Sequence, residues 1–347
     1  MKSFKSTLLI LSVLFSSMLL AQETTSSEET EDKPTFTVSG SVDTYFRSND
    51  YAPYTSFAND PGFAIGMANV IVGYEGEKHG FVADLVYGPR GVDAVFGSDD
   101  SSNIVNQLYV YYNVSDNFTL TLGNFNTFLG YEVISPVANF NYSTSYMFSY
   151  GPFSHSGIKA DIGLSDDVSL MLGVFNQTDM TEGNFNSLSD DETVFDSYMY
   201  GVQLGLFGQY VNLLAGEDYT QIDFTGGFDL SESFYLGINA TSASIGDGDE
   251  GFSGVALYPQ LALSDSFSIG LRGEIFNETD GGVGAISLSD ADADNTSFTI
   301  TGSYTSGNFI LKPEIRIDSA NEEIYAKSAT EMTDNLTSFV LAAIYSF

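Results

Sequence analysis

The strongest constraint in this chain is a period of two. In Asn308–Asp318, NFILKPEIRID, residues Phe309, Leu311, Pro313, Ile315 and Ile317 share one face, and Ile310, Lys312, Glu314, Arg316 and Asp318 share the other. Phe267–Ile275 (FSIGLRGEI) and Ser156–Leu164 (SGIKADIGL) repeat the pattern, with Arg272, Glu274, Lys159 and Asp161 on the polar faces. Successive side chains of a strand point to opposite sides, whereas helical spacing would mix the two sets, so these segments predict strands.

The connections alternate in length. Tight ones read VSDN at 114–117, LSDD at 164–167, LSES at 230–233 and LSDS at 263–266, with shorter signals at EKHG (77–80), Gly208 and Gly307. Leu-Ser-Asp also occurs at 188–190 and 288–290, but no alternating segment follows directly there. Between the tight turns lie longer segments at about 47–66, 91–103, 125–155, 178–196, 245–252, 278–294 and 319–335, and a shorter one near Thr220; most are acidic and rich in Gly and Asn. Seven turns, eight loops and two termini at one end predict sixteen strands, beginning near Thr35, Met67, Gly80, Ile104, Asn117, Ser156, Val168, Ser197, Tyr210, Gln221, Ser233, Ser253, Ser266, Asn295, Asn308 and Leu336.

Sixteen strands decide which face is inside. In a small soluble β-protein the apolar face fills the core, but a sheet of this size closes around a lumen too wide for side chains to fill. An apolar lining would then face water, so the apolar face must look outward into lipid, and closure pairs the edge amides that a bilayer leaves unsatisfied. Short turns at one end and long loops at the other fit the same all-β architecture, a transmembrane antiparallel barrel with extracellular loops and periplasmic turns. The final stretch, SFVLAAIYSF, sets Phe339, Leu341, Ala343, Tyr345 and Phe347 on one face and ends on an aromatic residue. Tyr345 and Phe347 thereby resemble the assembly signal that barrel-insertion machinery reads. Tyr and Phe supply the aromatic girdles, because the chain has no Trp.

The N-terminus, MKSFKSTLLILSVLFSSMLLA, has Lys2 and Lys5 ahead of a short apolar run ending at Ala21, and residues 1–21 read as a secretory signal peptide. Residues 22–34 follow as an acidic flexible leader, and 35–347 form the barrel. The signal carries two Lys and no acid, so its removal takes the net charge from −35 to −37, which disfavours nucleic acid as a partner. With no cysteine, disulfides and thiolate metal sites are excluded.

One stretch breaks the alternation. Leu122–Gly157, LGNFNTFLGYEVISPVANFNYSTSYMFSYGPFSHSG, is rich in Phe, Tyr and Asn and holds a single carboxylate, Glu132. LGNFNTFLGYE followed by NFNYSTSYMFSYGPFSHSG resembles the pattern of a β-barrel porin family common in Gram-negative Bacteroidota, and TVSGSVDTYF and AAIYSF are similar to the ends of that family's barrels. The resemblance implies an outer-membrane location and a broad channel role. It carries over no pinned residue.

Candidate chemistry is sparse. His79 falls in a tight turn and His155 at the foot of loop 3, at opposite heights of the wall, so they cannot share a catalytic site; the chain reads as a non-enzyme without cofactor. DGDEG (247–251) and DADADN (290–295) invite calcium, but the twelfth position after Asp290 is Thr301, and a solvated acidic rim that bridges to lipopolysaccharide fits better than a metal site. Strand phase places Arg47, Lys159, Arg272, Lys312 and Arg316 on the inner face, with Asp43, Asp84, Asp161, Glu274 and Glu314. Arg47, Arg272, Lys312 and Arg316 fall on one arc across the closure. Each cation either pairs with a wall neighbour, such as Arg272 with Glu274, or faces an inward-folded loop 3 (125–155) across a constriction formed by Glu132, Tyr131 and Phe128. The expected function is a porin passing small hydrophilic solutes, with outer-membrane lipids, lipopolysaccharide, the assembly machinery and a homotrimer as partners. A substrate-specific binding channel and a non-conducting structural barrel remain alternatives.

Overall fold

The computed structural model describes residues 34–97, 103–181, 198–246, 248–282 and 292–347. The segment read as a signal peptide and most of the segment read as a leader, together with parts of the acidic loops that include Asp247, Asp290 and Ala291, lie outside the described residues. The strands are β1 (Thr35–Arg47), β2 (Gly62–Glu75), β3 (His79–Tyr87), β4 (Val105–Ser115), β5 (Phe118–Asn126), β6 (Ser154–Ser165), β7 (Val168–Phe175), β8 (Met199–Leu206) and β9 (Gln209–Ala215). They continue as β10 (Tyr219–Asp229), β11 (Phe234–Ile245), β12 (Glu250–Ser264), β13 (Phe267–Thr279), β14 (Ala293–Ser306), β15 (Phe309–Ala320), the short pair β16 (Tyr325–Ala326) and β17 (Met332–Thr333), and β18 (Asn335–Ser346). Two short helices, α1 (Pro89–Ala94) and α2 (Tyr146–Tyr150), sit in loops 2 and 3.

Sixteen of these strands close one antiparallel barrel, each paired with its neighbours in sequence, and β18 returns to pair with β1. The strand count and the alternation of tight turns with long loops follow the sequence pattern. At β8–β9 the hairpin needs two residues with positive φ, supplied by Phe207 (53°) and Gly208 (80°), as a primed two-residue turn requires. The largest displaced boundary is β2, which starts at Gly62 rather than Met67. There the alternation is carried by Phe63 and Ile65, 92% and 65% exposed, between the small residues Ala64 and Gly66 that make the segment read as loop.

The faces are inverted relative to a soluble β-protein. Phe36, Ile65, Leu108, Leu122, Ile222, Ile275 and Leu341 are exposed on the outside, whereas the largest fully buried side chains include Arg47, Arg272 and Arg316. An exposed apolar belt around buried charges is stable only with hydrocarbon outside and polar matter within.

Candidate functional site

Loop 3 leaves β5 after Asn126, folds into the barrel and rejoins the wall at Ser154. No strand pairs with it, so its backbone groups need other partners if they are to be buried. Wall side chains supply them. On β13–β15, Arg272, Thr299 and Arg316 lie in one cross-strand row, Glu274, Ser297 and Asp318 in the next toward the extracellular side, and Thr301 lies opposite Glu314.

Carboxylates on this wall accept loop N–H groups. Glu314 accepts from Tyr142 N at 2.7 Å and Ser143 N at 3.1 Å, and Glu274 from Tyr146 N at 3.0 Å and Met147 N at 2.9 Å. Glu132, within the loop itself, accepts from Ser145 N at 2.7 Å, while the Ser145 hydroxyl caps α2 by accepting from Phe148 N at 3.1 Å. Cations donate to loop carbonyls. Arg272 Nη1 reaches Ser143 O at 2.6 Å, Arg316 Nη1 reaches Thr144 O at 2.7 Å, and Lys312 Nζ reaches Pro136 O at 2.9 Å and also Asn139 O. The wall does for loop 3 what a neighbouring strand does in a sheet.

Loops 1 and 2 join this body. Arg90 on α1 is buried, donates to Ile134 O at 2.9 Å and Tyr142 O at 3.3 Å, and lies 4.2 Å over the Phe57 ring. Arg47 donates to Asn59 O at 3.0 Å and to Tyr51 O. An irregularity in the β1–β2 register between Val42 and Thr44 frees Asp43 to accept from Met67 N at 2.9 Å and from the Tyr142 hydroxyl. Residue 66 must be glycine for this, because a Cβ there would fall 1.7 Å from Asp43 Oδ2. Loop 8 closes the group, with Tyr325 hydrogen-bonded to Tyr146 at 3.0 Å and Tyr54 donating to Ile324 O at 3.0 Å. Five cations (Arg47, Arg90, Arg272, Lys312, Arg316) and five carboxylates (Asp43, Glu132, Glu274, Glu314, Asp318) are buried here, with Glu278 buried further along the same face of β13.

The opposite side is built from amides and hydroxyls around one carboxylate, Asp223. Gln203 on β8, Asn212 on β9, Asp223 on β10 and Thr241 on β11 stand in one register row. Gln203 Nε2 donates to Asn212 Oδ1 at 2.9 Å and to Phe128 O at 3.1 Å, and Asp223 Oδ1 accepts from Gly130 N at 3.0 Å. At the foot of the loop, His155 bonds Thr127 Oγ1 at 3.0 Å and packs on Phe175 and Phe128. Loop 4 fastens the same foot. Asp179 Oδ1 accepts from Phe153 N at 2.6 Å and Ser154 N at 2.9 Å, and burial pushes this carboxyl up to about 6.

Of the residues singled out in the sequence, Arg47, Arg272, Lys312, Arg316 and Glu132 come together in the charged body. Arg272 pairs with Glu132 at 2.7 Å rather than with Glu274, whose oxygens are taken by α2. Arg272, Lys312 and Arg316 touch loop 3 directly, and Arg47 bonds loop 1 instead. Lys159 stands apart on β6, paired with Asp161 at 2.8 Å. Tyr131 stacks on Tyr258 with centroids 4.2 Å apart, and Phe128 packs on Phe175. Tyr345 and Phe347 lie at the lipid-facing end of β18, where Phe347 and Gly40 exchange two backbone hydrogen bonds of 3.0 Å across the closing seam. Arg90 and Asp223 were missed. Arg90 sits outside the alternating segments, yet it is one of only eleven basic residues in the chain. Asp223 shares the polar phase of Gln221 and Thr225 on β10.

A closed barrel with a lipid-compatible belt, short turns, long loops and a polar interior defines the chain as an outer-membrane porin. Residues 35–347 match the family described as "Putative beta-barrel porin-2, OmpL-like", and the chain belongs to that family. No curated protein matches. Among solved structures, an anion-selective porin from Comamonas acidovorans is similar with a TM-score of 0.63 at 10% identity, over 91% of this chain and 100% of that one. The outer membrane channel DcaP of Acinetobacter baumannii is similar with a TM-score of 0.58 at 12% identity, over 93% and 100%. OmpT of Vibrio cholerae, solved in a trimer form, gives 0.55 at 13% identity, over 91% and 100%. At these identities the likeness is one of fold.

Proposed function

We propose that the chain is a passive channel for small hydrophilic solutes, with loop 3 (125–155) as a fixed constriction. The observation that carries this reading is the bonding of the loop. Its N–H groups are held by Glu314, Glu274 and Glu132 and its carbonyls by Arg272, Arg316, Lys312 and Arg90. A segment bonded to the wall through both kinds of backbone group stays put, and a fixed polar obstruction in a wet barrel sieves by size and charge. Removal of residues 1–21 as a signal peptide, assembly through the terminal aromatic signal, contact with lipopolysaccharide and a homotrimer all belong to this reading. The anion selectivity named for the Comamonas porin stays with that protein, because a chain of net charge −35 favours cations at its mouths.

The test is single-channel recording from the folded protein in planar bilayers with a panel of sugars, amino acids and salts. Conductance that scales with salt and excludes larger solutes supports the reading. Saturable block by one solute marks a binding channel, and a folded barrel that never conducts refutes it in favour of a structural role.

A further inference from the structure

The outer wall of the barrel is not uniform. Outward positions in the extracellular halves of β6, β7 and β15 are Ile158, Val174, Ile315 and Ile317, all exposed, as a lipid-facing belt requires. On β11 and β12 the outward phase in the same half carries Ala240, Ser242 and Ser253. Ile222, Ser242, Ser253 and Asn277 stand opposite one another in one register row across β10 to β13, and Phe224, Ala240, Val255 and Ile275 in the next row toward the membrane centre. Short side chains between the larger ones of β10 and β13 leave a groove of about 440 Å³ in the outer surface, walled by Val211, Ile222 and Phe224 on one side and Val255 and Ile275 on the other. Beside Ile275, outward-phased Gly273 has no described atom within 4 Å of the place a Cβ would take.

The groove is graded along the membrane normal. Toward the membrane centre it offers Phe224, Ala240, Val255 and Ile275; at its extracellular end it offers Ser242, Ser253 and Asn277, whose amide donates to Asp294 Oδ1. Beyond that end stand the exposed carboxylates of Glu217 and Asp218, between β9 and β10, and of Asp294 on β14. A void against hydrocarbon forfeits dispersion contacts, and hydroxyls facing acyl chains without partners are costly. An amphiphile lying along the groove removes both penalties. The volume is that of a small-molecule site, about 300–1,000 Å³, whereas a subunit contact needs about 800 Å² of face from each partner. The exposed ridges of Ile222 and Ile275 would also hold a second barrel off the groove floor. Carboxylates at the head end attract an ammonium and repel an anionic head group.

We propose that this groove binds one outer-leaflet phospholipid with an ammonium-bearing head group, of the phosphatidylethanolamine class. One acyl chain lies along Ala240 and Gly273 between Phe224 and Ile275. Ser242, Ser253 and Asn277 meet the polar ester region, and Glu217, Asp218 and Asp294 supply the countercharge to the ammonium. The site belongs to the outer wall alone, so it goes beyond the channel reading and holds whether or not the barrel conducts.

The test is native mass spectrometry of the full-length barrel, released from detergent after exchange with phosphatidylethanolamine or with phosphatidylglycerol, and with heat-modifiable gel mobility confirming that each variant is folded. A single phosphatidylethanolamine should stay bound per barrel, retained roughly fivefold better than phosphatidylglycerol, as expected for a charge contact near the surface. Ala240→Phe and Ser253→Leu fill the groove from outward positions and leave the inner wall untouched; each should cut that retention roughly tenfold by excluding the acyl chain. Ile158→Phe, on the outward face of β6, should leave it unchanged. Retention in Ala240→Phe and Ser253→Leu equal to that of the unmodified protein would overturn the site, as would phosphatidylglycerol held as firmly as phosphatidylethanolamine. Lipid-free oligomers that these two variants break apart would put a second copy in the groove and likewise overturn it. None of these readouts depends on conductance, so failure of the lipid site leaves the channel reading untouched.

Discussion

Replacing Arg272 by Met tests whether charge holds loop 3 in place. Arg272 is fully buried and donates to Glu132 Oε1 at 2.7 Å, Ser143 O at 2.6 Å, Ser143 Oγ at 3.3 Å and Thr299 Oγ1 at 3.1 Å. Met fills much of the same volume but supplies none of these donors. Glu132 would keep only the Ser145 N–H at 2.7 Å, in a place where it is 4% exposed. Breaking one partner of a buried ion pair costs about 3–5 kcal/mol, most of it the penalty of the stranded charge. If loop 3 opens locally rather than with the whole barrel, that cost appears as faster hydrogen exchange at Ser145, Tyr146 and Met147, by roughly a hundredfold to a few thousandfold at about 1.4 kcal/mol per factor of ten. Adding Glu132→Gln removes the stranded charge, so the double variant should recover about 2 kcal/mol of the loss, a coupling expected of groups in direct contact. The assay is amide exchange on the folded barrel in detergent micelles, read by mass spectrometry. Exchange within about tenfold of the unmodified protein, or a double variant no slower than Arg272→Met, would refute the view that the pair fastens the loop.

Asp179 gives a pH dependence. Its folded carboxyl titrates near 6 because of burial, above the ordinary value of 3.8, so the neutral form is favoured when docked and docking should tighten as pH falls from above 6 toward 4. The protection factor at the base of loop 4, taken against intrinsic exchange at each pH, should rise as pH falls over that range in the unmodified protein and stay flat in Asp179→Asn; the opposite slope would refute the assignment. Removing Phe347 deletes both backbone bonds to Gly40 at the closing seam, so the folded fraction after refolding into lipid should fall, measured as the heat-modifiable band on gels. With a net charge of −35 carried mainly by segments between the strands and by the N-terminal stretch, the reversal potential should favour cations at about 0.01 M salt and lose most of that preference near 1 M, as the screening length shrinks from about 30 Å to 3 Å. Anion preference at the low end would contradict it.

The barrel was legible because its information is local. A residue's phase along a strand decides whether it meets lipid or lumen, and that phase put Asp43, Arg47, Arg272, Glu314 and Arg316 on the inner face without any knowledge of their neighbours. Loop 3 was legible as an exception, since a long aromatic segment poor in charge has no stable place in open water. The partners of these inner groups were not legible. Arg272 and Glu274 are two residues apart on the same face and look paired on paper, yet Arg272 turns to Glu132, 140 positions earlier in the chain. Arg90 gave no periodic signal because it lies in a short helix of loop 2, and its role exists only where Ile134 and Tyr142 come to meet it.

What the sequence by itself determined is therefore the wall: strand count, inward and outward faces, tight turns at one end, and a closing strand that ends on Phe347. Period-two alternation encodes these features residue by residue, and closure follows from the number of strands. What only the tertiary structure decided is where loop 3 lies inside that wall. Its backbone groups must be satisfied somewhere, and residues distant in sequence (Glu314, Glu274, Lys312 and Arg316 on one side, Asp223 on the other) compete to satisfy them. That competition spends Glu132 on Arg272 and fastens the far side of the loop through the Gly130 N–H on Asp223.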